Sequence, residues 1–178
     1  DDIGGIAVYT KGEDTKIFKC GVEGILIGRD ASGICNMDSD GIVEECYFKG
    51  LIEGTRSVSG IKPSSYGTAK NCYVIGEVIY KGVGNHSQID LVAGIGSEQY
   101  AGHIFNCYFH GEVQGRAYAG GINSGQMHVG SVNGAVNLAT SIKTYGEYDG
   151  GKTYIKGIGK GKYVSTSRNF YNQDMTGT

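Results

Sequence analysis

Apolar and polar residues alternate with period two over short stretches, each closed by a glycine, and nowhere recur at the spacing of a helical face. In EECYFKG, Cys46 and Phe48 fall on one side of the pattern and Tyr47 and Lys49 on the other; NCYFHG repeats this at Cys107, Tyr108, Phe109 and His110. A second short run follows each glycine, as in Leu51-Ile52-Glu53, Glu77-Val78-Ile79 and Glu112-Val113-Gln114. Two or three short strands, bent at glycine and leading to a further Gly-Ile strand, are predicted for each repeat. Glycine recurs too often to leave an amphipathic helix.

The pattern is itself repeated. Gly-Ile stands at Gly5-Ile6, Gly33-Ile34, Gly60-Ile61, Gly94-Ile95, Gly121-Ile122 and Gly157-Ile158, and blocks headed by Cys20, Cys46, Cys72 and Cys107 lie between successive pairs. A fifth block, NGAVNLATSI, is degenerate and places Ala135 where the cysteine would be. Units this small cannot bury an apolar face alone, but coils stacked about 4.8 Å apart share one continuous interior. The expectation is one all-β domain over residues 1–178: a parallel β-helix (β-solenoid) of about six coils, wound to the right by analogy with parallel crossovers. The strand near Ile3 to Tyr9 is expected to pair on one side only.

Composition narrows the function. The 178 residues include 32 Gly, one Pro, 13 Tyr and no Trp, a chain that turns often and favours strands between turns. Sixteen Lys and Arg against 18 Asp and Glu give a net charge of −2, without the basic excess that nucleic acid attracts. No apolar run reaches the length of a membrane span, so this segment is not expected to insert in a bilayer. Five cysteines in this arrangement read as packing rather than a disulfide framework.

The recurring Gly-Ile, the N-C-Y block and the following G-x-V-x-G resemble the GLUG-type repeats of bacterial surface proteins, which also occur beside the peptidase domain of IgA1 protease-like metallopeptidases. The closing SRNFYNQDMTG at 167 to 177 resembles the end of such arrays. The resemblance implies a secreted, extracellular or cell-surface setting, an adhesin-like accessory role, and a segment of a larger protein. It carries over no catalytic residue, since the zinc-chelating H-E-x-x-H is absent.

Candidate chemistry is sparse. Cys20, Cys46, Cys72 and Cys107 form one inward file, read as small apolar packing groups that are reduced and buried, while Cys35 is a lone thiol beside the second Gly-Ile. Tyr47, Tyr73 and Tyr108 form the matching outward file, either an aromatic platform for carbohydrate or a host or surface protein, or rings that stabilise the face by stacking. Asn36, Asp38 and Asp40, followed by Gly41, resemble the first half of a calcium loop, but position twelve is Tyr47 rather than Glu, so an acidic turn competes with calcium. No other cofactor is indicated. His86, His103, His110 and His128 share no spacing, and no Ser, His and Asp cluster is tied together by the repeat. Glu53, Glu77 and Glu112 supply one outward acid per coil, with no Arg or Lys set to hold an acidic sugar.

Connections before the next Gly-Ile are short at Arg29 to Ser32, Thr55 to Ser59 and Arg116 to Ala119, and long at Lys81 to Ala93 and Thr144 to Lys156. The long loops are expected on one corner about two coils apart, flanking a notch with Arg116 and Tyr118 as floor and Tyr148 on one wall. Two functions compete: a non-catalytic surface module for adhesion, binding or spacing, and a carbohydrate-active β-helix enzyme, a polysaccharide lyase or hydrolase. Converging carboxylates in a groove would favour the second.

Overall fold

The computed structural model describes the chain except residues 11, 13, 37–40, 63–66, 84–90, 97–100, 117, 125–128, 147–153, 159–163 and 172–178. It is all-β, with no helix among the described residues, and every strand pair is parallel. One sheet stacks six strands in chain order: β2 (Lys16–Phe18), β4 (Ile42–Glu44), β6 (Thr68–Lys70), β9 (Ala101–Phe105), β12 (Val129–Asn133) and β15 (Val164–Ser167). The second face stacks β3 (Gly21–Ser32), β5 (Tyr47–Ser59), β7 (Tyr73–Tyr80), β10 (Tyr108–Gly115), β13 (Val136–Thr144) and β16 (Phe170–Tyr171). A third face joins β1 (Ile3–Gly4), the ends of β3 and β5, then β8 (Leu91–Ala93), β11 (Tyr118–Gly120) and β14 (Tyr154–Lys156). The chain is the expected parallel β-solenoid, but with about four full turns rather than about six.

The bend between the first two faces falls on the residue before each cysteine-file position. Lys19, Glu45, Asn71, Asn106 and Arg168 adopt φ of 50 to 54°, the left-handed region that a non-glycine residue enters only when its surroundings hold it there. A second bend divides the long strands at Gly24, Gly50, Gly76 and Gly111, all at φ between 134 and 148°. At Gly76 a Cβ would also strike the carbonyl oxygen of Gly50 in the coil before, so no larger residue fits. The Gly-Ile pairs mark the third bend and are not strands as expected. A Cβ at Gly60 would meet the Gly94 carbonyl, while Ile34, Ile61, Ile95 and Ile122 turn fully inward. The stretches read as short loops are instead third-face strands, because pairing with the coils on either side satisfies their backbone groups.

The core is a set of inward files. Ile17, Val43, Ala69, Ile104 and Val132 line the first face; Phe48, Val74 and Phe109 the second; Ala31, Val58, Val92 and Ala119 the third. One member breaks the apolar rule. Asn137 follows Val74 and Phe109 in its file yet is fully buried, donating from Nδ2 to the Gly157 carbonyl at 2.8 Å and accepting from the Ala139 N–H at 3.1 Å. Both ends of the amide are used, which makes a buried polar group tolerable. At the N-terminal end β1 pairs with β3 alone, matching the one-sided pairing expected there.

Candidate functional site

The outward tyrosines are brought into one file by exact register: Tyr47 opposes Tyr73, and Tyr73 opposes Tyr108. Tyr47 and Tyr73 stack with centroids 5.1 Å apart and planes 6° off parallel. A Cβ at Gly21 would collide with the Tyr47 ring, so that ring lies over Gly21 in the first coil. Tyr108 pairs instead with His110 on its own strand, at 6.5 Å. All three tyrosines are half-buried. The Tyr47 and Tyr73 ring faces thus cover neighbouring coils and the Tyr108 face its own strand, and what the file offers a ligand is ring edges, hydroxyls and the Lys49 ammonium, 5.1 Å from the Tyr47 centroid.

The cysteine file, one residue earlier, is more polar than its sequence suggested. The thiols are free and buried at Cys46, Cys72 and Cys107, with Cys20 half-buried at the open end and Cys35 buried separately. Each repeat thiol donates within its own corner: Cys46 to the Glu44 carbonyl at 3.2 Å, Cys72 to that of Lys70 at 3.2 Å, Cys107 to that of Phe105 at 3.3 Å. Longer contacts reach one coil back, to the carbonyls of Ile17, Val43 and Ala69. Sulfur also accepts, from the Cys20 N–H to Cys46 Sγ at 3.4 Å. In the last coil Asn169 takes over the position, accepting from the Ala135 N–H at 2.8 Å and donating to the Val132 carbonyl at 2.7 Å. The file therefore caps corner backbone groups between coils, a role shared by thiol and amide. The link between the Cys72 and Cys107 thiols, with burial, pushes Cys72 up to about 12, and Cys46 is raised by its link to Cys72 and by burial. Neither is a nucleophile at neutral pH.

At the loop corner the two long connections leave the same edge. The Lys81 N–H donates to the Gly54 carbonyl, Tyr145 N–H to Gly115, and Gly146 N–H to Arg116. Between their bases lies the Arg116 coil, and the gap is bridged. The Tyr145 hydroxyl lies 3.1 Å from the Tyr80 carbonyl oxygen and 3.2 Å from that of Gly82, and its ring stacks on Tyr80 at 6.5 Å. Tyr118 is 2% exposed and Arg116 half-buried, so among the described residues the open aromatic at this corner is Tyr145, at 49%. Tyr148 lies outside the described residues. Tyr145 belongs to the tyrosine cluster TYGEYDGGKTY of the second long loop, a mixture suited to an adaptable binding surface; its bridge to Tyr80 and Gly82 had no signal in the repeat, because this connection has no counterpart in other repeats.

The acids do not form one file. Glu112 opposes Glu77, but Glu53 stands opposite Ile79, two places on, with Lys81 at 3.7 Å. Glu44 sits between Lys16 at 2.5 Å and Lys70 at 2.9 Å, and the bonds to these lysines hold its carboxyl below the usual range. Asp30 is nearly buried and held by Arg56 and by the Ser57 N–H. His103 Nδ1 lies 2.8 Å from the Ser131 hydroxyl. Of the proposed calcium ligands, Asn36 is half-buried and donates its backbone N–H to the Ala7 carbonyl, while Asp38 and Asp40 lie outside the described residues. Among the described residues no group of three or more His, Cys, Asp or Glu is placed to hold a metal, and no helix is long and apolar enough to cross a membrane.

No family model, no curated protein and no solved structure matches this chain.

Proposed function

We propose that this chain is a non-catalytic surface repeat module of the GLUG type, extracellular or cell-surface, that spaces and presents binding surfaces to carbohydrate or to a host or surface protein. The observation that carries this reading is where the outward charges go. Lys16 and Lys70 with Glu44, Lys49 with Glu23, Arg56 with Asp30 and Lys81 with Glu53 all pair between adjacent coils. Charges tied along the stack make a uniform face, whereas a catalytic groove needs them to converge. Glycan arrays and surface-protein panels test the proposal. Tyr47→Ala with Tyr73→Ala probes the outward file, and Arg116→Ala with Tyr148→Ala the corner. If neither pair changes any detected interaction, the module only spaces.

The carbohydrate-active reading keeps one supporting observation. Glu77 and Glu112 are exposed register partners on adjacent coils. Parallel strands sit about 4.8 Å apart, close to the roughly 5–5.5 Å between the carboxylates of retaining glycosidases. Turnover of a polysaccharide panel, lost in Glu77→Gln and in Glu112→Gln, would establish it; no turnover by the intact chain would remove it.

A further inference from the structure

The first coil has a bare edge. Among the described residues Lys16–Phe18 pairs only with β4, and Gly21–Gly28 only with β5, leaving their other backbone groups without strand partners there. Phe18, Ile25 and Ile27 are exposed, and the core-file residues Val22 and Leu26 are half-covered where Phe48 and Ile52 are sealed. Proteins normally blunt such an edge with proline, a bulge or cover. None of these protects Gly21–Ile27, whose only bulge lies beyond it, between Gly28 and Asp30.

We propose that this edge is a docking surface for one further coil of the same repeat, stacked in parallel and running directly into Asp1. Register identifies the occupant. Ile3 and Gly4 oppose Ala31 and Ser32, Ala7 opposes Cys35, and the Arg29 N–H donates to the Asp1 carbonyl at 2.7 Å. Residues 1 to 7 thus hold the third-face position of a coil lying in front of β3. The interface needed is the one repeated inside the molecule between successive coils. Gly24 keeps φ of 148° with nothing within 4 Å of its Cβ position, while Gly50, Gly76 and Gly111 each abut the glycine carbonyl of the preceding coil. The incoming coil presents its own glycine carbonyl to Gly24, apolar inward residues to Val22 and Leu26, and an extended strand to Lys16–Phe18.

The test adds that coil. A prefix copying residues 42–54, joined to Asp1, falls in register with Lys16–Gly28. A control prefix carries Val43→Asp, Phe48→Asp and Ile52→Asp, which puts charge on side chains meant for the shared core. Amide hydrogen exchange in the full chain should slow at least about tenfold over residues 16–18 and 21–27 with the in-register prefix and stay fast with the control. Equal exchange in both overturns the proposal. So does protection of this edge in the unextended chain that rises with protein concentration, which would assign it to a second copy.

Discussion

The first coil and those behind it carry the same pattern and nearly the same backbone, yet they are not equally held. Gly24 and Gly76 share a φ near 145°, but only Gly76 has a neighbouring carbonyl beneath it. Phe48 and Ile52 are sealed while Val22 and Leu26, their register partners, are partly open; Cys72 is buried and Cys20 is not. A solenoid repeat is therefore not a stable unit in itself. What a residue contributes is set by whether a coil lies on both sides, as nearest-neighbour coupling in repeat proteins requires.

The sharpest way to break that comparison is at the glycines. Gly76→Ala combines an unfavoured φ with a backbone collision and should cost about 4 kcal/mol. Gly24→Ala meets only the φ penalty, about 1 to 3 kcal/mol. Urea midpoints measure both, and equal losses would mean that stacking contributes nothing at this bend. The core tests the same point more gently. Phe48→Ala should cost about 3 to 5 kcal/mol and Val22→Ala about 1, since the first leaves a closed cavity and the second a site already open.

The thiols sharpen it by pH. Cys72 is raised from 9.0 to about 12 in the folded chain, so the folded state holds its proton more tightly than the unfolded state. The resulting stability is present in full below about pH 9 and lost as pH climbs towards 12. Cys72→Ala should flatten that part of the urea-midpoint profile relative to the parent. At pH 8 a thiol reagent should modify Cys20 well before Cys46, Cys72 or Cys107; comparable rates at all four would refute the buried file.

Much of this was legible because a period-two pattern inside a longer repeat admits few solutions. The inward positions of Phe48, Val78 and Phe109, the outward tyrosines and the one-sided first strand all follow from alternation and stacking. What was not legible depended on neighbours in other coils. The Gly-Ile pairs read as strands because Ile is β-prone, and only the close approach of glycine carbonyls turns them into bends. The cysteines read as apolar because sulfur donates weakly, while the corner carbonyls that receive it arise from left-handed residues such as Lys19 and Glu45 that carry no strong turn signal. Asn137 and Asn169 look like surface residues until their amide partners are in place. The contacts of Tyr145 could not be assigned, since a loop without a repeat counterpart has no register to inherit.

The smallest effect expected is at the boundary between the first two coils, where Lys49 Nζ lies 3.2 Å from Glu23 and 5.1 Å from the Tyr47 centroid. Glu23 raises the Lys49 pKa, so the ammonium is charged across the neutral range. Both groups are substantially solvated, and pairs of this kind contribute about 0 to 1 kcal/mol, less at high salt. Lys49→Met keeps the aliphatic stem over the ring and removes only the charge. Its urea midpoint should fall only slightly at low salt and match the parent in 1 M NaCl. A fall as large as that of Val22→Ala that persists in salt would show that the first coil is clamped by its surface charges, and the contrast between open and enclosed coils would have to be credited to those ladders as much as to the core.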